Sequence, residues 1–414
     1  MLAELVGLVT RQEGKKFLKL KQQFDELALG PGAGREGEIS LYIHIPFCRT
    51  LCPFCCFNRY LFHEDRARKY FQHLRRELEQ YIKRGFQFTN FYFGGGTPTI
   101  LMDELTGFIN HLRENFTVKQ ISLETTAADI TPHNIDLLKT AGINRLSIGV
   151  QSFSDKLLRA MGRVSLNGEE IKEKLLMAQG QFNTLNADFI FNFPGQTPEQ
   201  FEADVETFKA LGIDQATFYP LMPSPHKKDA IERRFNRIDT ATEQKFYEII
   251  LKKLFADGYK ASTAWCFSRG EHMIDEYIID FNDYIGIGSG SVSIVNGNFY
   301  VNSFSLDTYA ELTISDTLPV VGWRRLSERE HLRYYLLTKL FGMELDTGKF
   351  YQRFNAASHR KLWNELTFLK LFGLVEGEEK IRVTRKGMYP VSVMMREFFA
   401  ALNNLREDYI EKQI

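Results

Sequence analysis

The sequence predicts an α/β protein: a partial (β/α)6 barrel, TIM-like, followed by a helical, winged-helix-like C-terminal domain. Two observations carry this expectation. From residue 40 to about residue 220, six short apolar runs of strand length alternate with longer stretches of helical periodicity. Beyond residue 325 the pattern is mostly helical, broken only by a short strand pair near 373–385. Alternation at this spacing implies parallel strands joined by right-handed helical crossovers, and six units suit a partial barrel better than a closed one of eight. In either form the chemistry belongs at the C-terminal ends of the strands.

Residues 1–38 place apolar side chains at helical spacing (Leu2, Leu5, Val6, Val9, then Phe17, Leu20, Phe24, Leu27) and end in the breaker Gly30-Pro31-Gly32-Ala33-Gly34. They read as a helical arm and a flexible linker. The barrel is expected over 39–235, with strands at 41–45, 89–93, 119–124, 144–148, 185–191 and 214–219. Helices are expected near 65–83, 102–114, 132–140, 155–180 and 198–210, two of them announced by the capping pairs Thr131-Pro132 and Thr197-Pro198. Residues 236–315 read as an extension of the barrel, with one helix at 242–256, short strands, and the turn Gly286-Ile287-Gly288-Ser289-Gly290. Residues 316–414 form the helical C-terminal domain, whose helices followed by a hairpin give it its winged-helix character.

Composition excludes several classes of function. The 52 Lys and Arg offset 52 Asp and Glu, so no net positive charge favours a nucleic-acid partner. No segment approaches the ~20 apolar residues of a membrane span. The first residues lack a basic stretch followed by an apolar run, which makes a cytoplasmic location the expectation.

Of the five cysteines, Cys48, Cys52, Cys55 and Cys56 fall within nine residues, and Cys266 stands apart. A disulfide scaffold distributes its cysteines along a short secreted chain; this cluster reads as a metal or redox site. Cys48, Cys52 and Cys55 form a CxxxCxxC loop directly after the first strand. Three thiolates on one loop suit three irons of a [4Fe-4S] cluster, leaving the fourth iron open to a small molecule. A structural zinc site and unliganded thiols are the competing readings, and zinc is the weaker because no second cysteine pair is present.

The residues around this loop carry a resemblance. Tyr42-Ile43-His44-Ile45-Pro46-Phe47 leads into Cys48; Phe93-Gly94-Gly95-Gly96-Thr97-Pro98-Thr99 follows the second strand; Glu124 ends the third. Arg145 to Phe153 (RLSIGVQSF) and Asp188 with Phe193-Pro194-Gly195-Gln196-Thr197 complete the set. In this order they resemble the radical SAM superfamily, and within it the oxygen-independent coproporphyrinogen III oxidase-like family. The resemblance implies one [4Fe-4S] cluster on Cys48, Cys52 and Cys55 and S-adenosylmethionine (SAM) on the open iron. It implies reductive cleavage to a 5′-deoxyadenosyl radical, an electron donor such as flavodoxin or ferredoxin, and a small-molecule substrate, a tetrapyrrole in this family. By the same resemblance SAM contacts fall to Tyr42, Gly94, Gly95, Gly96, Thr97, Glu124, Gln151, Arg163 and Asp188. Glu124 joins the three cysteines as a catalytic candidate. His44 has two readings, a site residue and a hydrogen-bonded barrel histidine.

The sequence also departs from its relatives. The oxidase keeps a further cysteine two residues after the third, where this chain has Phe57 and carries Cys56 one residue early. The heme-chaperone branch is marked by an HNxxYW motif, and the corresponding stretch from Asp275 to Tyr284 lacks the histidine, although His272 lies just upstream. Two-SAM methyltransferases, cyclopropanases and heme-opening enzymes share the same core motifs and remain alternatives, as does a heme chaperone. Cys266 reads mainly as a buried inert thiol, and the Gly286–Gly290 turn as a place where backbones approach closely. Arg269, His272, Lys227 and Lys228 are candidates for a substrate carboxylate, against the plainer reading of surface charge.

Overall fold

A computed structural model describes residues 2–22, 24–25, 29–30, 39–235, 240–270, 283–354 and 356–414. Its centre is a twelve-stranded sheet. Six parallel strands form the barrel wall in chain order: β1 (Ile39–Ile45), β2 (Phe88–Gly95), β3 (Gln120–Thr126), β4 (Arg145–Gln151), β5 (Thr184–Phe191) and β6 (Gln215–Pro220). Helices pack one face while the barrel interior covers the other, so these strands are apolar almost throughout: all seven residues of β1 are buried.

The sheet extends beyond the six expected strands at both edges. Past β6 lie β7 (Lys260–Ala261) and β8 (Cys266–Ser268), with β8 antiparallel to β6. Past β1 lie β9 (Tyr284–Ile287), parallel to β1, and the antiparallel β10 (Val292–Val295), β11 (Asn298–Asn302) and β12 (Val320–Arg325).

Two sequence expectations need correction. The helix expected over 155–180 is two helices, Asp155–Ala160 and Gly168–Ala178. Gly162 at φ +74° breaks the first, and Asn167 starts the second through a reciprocal capping box with Glu170. The first helix, Leu2–Phe17, stops before Leu20 and Phe24, because Lys21 pairs in antiparallel fashion with Trp323 at the sheet edge. This helix leaves Leu5 and Val9 exposed and instead buries Val6, Gly7, Gly14 and Phe17. Gly7 and Gly14 let it lie against Val393 and Ala401 of the last helix, Arg385–Glu411, where Arg11 also pairs with Glu397 at 2.6 Å. The linker residues 31–34 lie outside the described residues, as do His272 and residues 275–282.

The C-terminal region is helical around a small sheet of Glu344–Asp346, Val375–Glu376 and Lys380–Val383. Its last helix runs back to the barrel. Asn403 donates to the Met222 carbonyl just after β6 at 2.7 Å, and Arg406 lies 4.9 Å above the Phe57 ring beside the cysteine loop. No helix among the described residues is long and apolar enough to cross a membrane.

Candidate functional site

The strand register brings the sequence motifs together at one end of the barrel. His44 sits beside Gly94 and Ile45 beside Gly95 across β1 and β2. Glu124 pairs with Ser147 across β3 and β4, and Gly149 with Asp188 across β4 and β5. These positions follow directly from parallel pairing of consecutive strands, which stacks their C-terminal ends side by side.

At the end of β1, Tyr42 and His44 are both buried. The Nε2–H of His44 donates to the Asn58 carbonyl at 2.9 Å, which leaves Nδ1 to accept from the Tyr42 hydroxyl at 2.9 Å. Burial holds the His44 pKa down at about 4, so the ring is neutral at physiological pH. Both earlier readings of His44 therefore meet in one residue: it is a hydrogen-bonded barrel histidine, and it braces the tyrosine of the motif.

Cys48, Cys52 and Cys55 follow, all partly exposed. Burial pushes the Cys48 thiol up to about 11, opposed by a contact from the Thr97 hydroxyl at 3.8 Å and by the nearby Arg59. Arg59 ties the loop together by donating to the carbonyls of Cys52 and Cys55. Its Nε and Nη1 are buried without a hydrogen-bond partner. Cys56 is buried and turns its sulfur toward the Phe54 carbonyl at 3.7 Å.

Each glycine of the triplet has its own steric reason. A Cβ on Gly94 would sit 3.0 Å from the Glu124 carboxylate, one on Gly95 2.6 Å from the His44 ring, and one on Gly96 2.6 Å from the Phe47 carbonyl. Gly95 also holds φ +111°. Gly96 and Thr97 donate their amides to the carbonyls of Ile45 and Phe47 at 2.8 Å, which locks the triplet onto the entrance of the cysteine loop.

Glu124 accepts from the Tyr92 hydroxyl at 2.9 Å and from the Gly95 amide at 3.2 Å. Gln151 takes the left-handed conformation, φ +70°, where a bulge ends β4, and its side chain lies near Gly149 with that of Arg163. Arg163 donates to the Gly149 carbonyl at 2.7 Å. Asp188 accepts from Ser147 at 2.6 Å and Asn186 at 2.7 Å, and burial raises its pKa despite these bonds. Tyr92, Asn58 and Arg59 were not singled out in the sequence: Tyr92 is legible only as an alternating position in a strand, and the other two follow the cysteine loop without a motif of their own.

The remaining candidates fall elsewhere. Cys266 is fully buried in β8 opposite Thr217. Arg269 pairs with Asp257, Lys228 lies 3.9 Å from Glu232, and Lys227 is held by Glu407 and the Cys55 carbonyl. In the Gly286–Gly290 turn, Gly288 at φ +98° lies against the His44 carbonyl and Gly290 at φ +77° against Asn58. That turn is a backbone buttress for the His44–Asn58 pair.

Among the described residues, no three His, Cys, Asp or Glu side chains gather as a cage for one metal ion. A [4Fe-4S] cubane takes each thiolate on a different iron and asks for no such convergence. The donor set is soft, and the unpartnered guanidinium nitrogens of Arg59 suit a neighbour of negative charge. Three thiolates on one loop beside this guanidinium fit a cluster.

Residues 42–208 match the family model described as the radical SAM superfamily. The chain carries a radical SAM domain. Around that domain it is 28% identical over 307 residues to the heme chaperone HemW of Bacillus subtilis, a match spanning 71% of this chain and 80% of that one. It is 27% identical over 396 residues to the oxygen-independent coproporphyrinogen III oxidase of Helicobacter pylori, spanning 88% and 86%. The fold is that of the coproporphyrinogen III oxidase structure from Escherichia coli, with a TM-score of 0.77 and 24% identity over 92% of this chain and 95% of that one. The match to the radical SAM model implies a [4Fe-4S] cluster and SAM.

Proposed function

We propose that the protein is a radical SAM oxidoreductase acting on a tetrapyrrole, with a chemistry like that of coproporphyrinogen III oxidase. The observation that carries this reading is the fit between the CxxxCxxC loop and the glycine triplet, joined through Ile45, Phe47 and Thr97. On this reading Cys48, Cys52 and Cys55 hold the cluster. When bound, cluster and SAM supply a one-electron reductive cleavage that yields a hydrogen-abstracting 5′-deoxyadenosyl group.

The chain's own residues do the rest. Gly94, Gly95 and Gly96 clear side chains from the space over the loop. Glu124, fixed by Tyr92 and Gly95, accepts from a cationic amine or a ribose hydroxyl. Gln151, Arg163 and Asp188 form the far wall, with Arg163 for a carboxylate and Asp188 for a ribose. Tyr42, held by His44, turns an aromatic group toward a sulfonium. The electron donor on this reading is a flavodoxin or ferredoxin, and the setting is cytoplasmic. The barrel occupies 39–235, its extension 236–315 and the helical domain 316–414, after an arm over 1–38.

A second reading, a heme chaperone, draws on the relative from Bacillus subtilis. Anaerobic incubation of the cluster-loaded protein with SAM, reductant and coproporphyrinogen III separates the two. Carbon dioxide and vinyl products support the oxidase; stable stoichiometric heme binding without product supports the chaperone. S-adenosylhomocysteine appearing beside 5′-deoxyadenosine indicates two-SAM methyl transfer instead.

A further inference from the structure

Among the described residues, two cations at the cysteine loop have a carboxylate partner. Arg49, within the loop, lies 3.9 Å from Asp129, and its side chain is 58% exposed. Lys227 donates to the Cys55 carbonyl at 3.0 Å and pairs with Glu407 at 2.6 Å. Arg406 lies over the ring of Phe57, beyond the last of the three cysteines, at 4.9 Å.

Arg59 is bonded differently. Through one nitrogen, Nη2, it donates to the Cys52 carbonyl and, at 3.0 Å, to the Cys55 carbonyl. Its Nε and Nη1 are buried without a hydrogen-bond partner, and among the described residues it forms no ion pair with Asp or Glu. A guanidinium does not shed its charge, so a buried one without a counter-ion is costly, and the cost is offset where an anion comes to lie beside it. A cubane on three thiolates carries net negative charge, and one added electron makes it more negative by one unit. A buried cation next to it favours the reduced form, because charges interact more strongly away from water.

We propose that Arg59 is the buried counter-charge of the iron–sulfur cluster, raising its reduction potential and easing entry of the one electron that SAM cleavage consumes. The proposal rests on the reading that Cys48, Cys52 and Cys55 hold that cluster. The electron comes from a one-electron donor of the flavodoxin or ferredoxin class; at Arg59 no bond forms or breaks and no proton moves.

The experiment takes the full-length protein and its Arg59→Gln, Arg59→Met and Arg59→Lys variants, each reconstituted anaerobically with iron and sulfide. Each is titrated with dithionite and redox mediators in the absence of SAM, and reduced cluster is quantified by electron paramagnetic resonance. Iron content and thermal unfolding are recorded alongside. At the midpoint potential of the unmodified protein, the ratio of reduced to oxidised cluster should fall about tenfold in Arg59→Gln and Arg59→Met, a shift of ~59 mV to more negative potential. It should change much less in Arg59→Lys, which keeps the charge, and in Arg49→Gln, which removes an exposed one from the same loop. Unchanged potentials in iron-replete neutral variants, or an equal shift in Arg59→Lys, overturn the proposal and leave Arg59 a clamp on the two carbonyls. A cluster kept by Arg59→Lys and lost by both neutral variants upholds the charge through retention. Loss in all three assigns Arg59 to loop bonding alone and overturns it. If the unmodified protein takes up no [4Fe-4S] cluster, the cluster reading itself falls and takes the counter-charge with it.

Discussion

A Cβ placed on Gly95 would lie 2.6 Å from the His44 ring. Two motifs fifty residues apart in appearance, one leading into the cysteines and one following the second strand, are thus a single fitted surface. The ring of His44 occupies the space that any side chain at position 95 would need, and His44 is in turn fixed by Tyr42 and Asn58.

Gly95→Ala should therefore act on stability and site together. Positive φ and overpacking against a buried ring each carry a cost, and their sum is about 2–5 kcal/mol. Chemical denaturation should register that loss, and SAM affinity should fall with it. A Gly95→Ala protein as stable as the original would show that the fit at this position is loose.

Glu124→Gln should separate binding from folding. The amide retains one acceptor but turns a donor toward either the Tyr92 hydroxyl or the Gly95 amide, which are donors themselves. Expected is a loss of SAM affinity of about tenfold, with iron content retained. Calorimetric titration of SAM checks this; an unchanged affinity removes Glu124 from the site.

Cys56→Ser should leave cluster content intact. The Cys56 sulfur is buried and faces the Phe54 carbonyl, and burial raises its pKa, whereas Cys48, Cys52 and Cys55 keep partial exposure on the loop. Iron and sulfide analysis after anaerobic reconstitution decides the point: a stoichiometric drop in the variant would make Cys56 a ligand.

Glu77 supplies a pH dependence. It is fully buried and accepts from the Gly288 amide at 2.8 Å and from the side chains of Asn302 and Tyr309 at 2.6 Å, yet burial outweighs these bonds and lifts its pKa from 4.5 to about 7. A carboxyl raised on folding holds its proton better in the folded state. Its favourable contribution is complete below about 4.5 and is lost as pH rises through about 7. Relative to Glu77→Gln, the unmodified protein should lose on the order of 3 kcal/mol between pH 5 and pH 8. Parallel stability curves for the two proteins over that range would contradict the assignment.

The six barrel strands and the clustering of the cysteine, glycine and acidic motifs were legible in the sequence because parallel pairing in chain order places consecutive strand ends side by side. Gly94 and Glu124 could be read as neighbours from that rule alone. The supporting contacts were not legible. Tyr92 touches Glu124 and Asn58 holds His44, but neither pairing follows from local periodicity. Arg406 lies on the last helix, more than three hundred residues from Tyr42 in sequence, and only tertiary packing sets both in one cavity wall. The division of the expected helix at 155–180 was missed for a local reason: apolar spacing continues past Gly162, whose positive φ ends the helix without interrupting the pattern.

The central claim is that Cys48, Cys52 and Cys55 hold a cluster at which SAM is reductively cleaved. The most direct measurement is chromatographic quantification of 5′-deoxyadenosine after anaerobic reconstitution with iron and sulfide and addition of reductant and SAM. 5′-Deoxyadenosine is expected from the unmodified protein and none above background from Cys48→Ala, Cys52→Ala or Cys55→Ala. A protein with a full iron complement and bound SAM that releases no 5′-deoxyadenosine would contradict it.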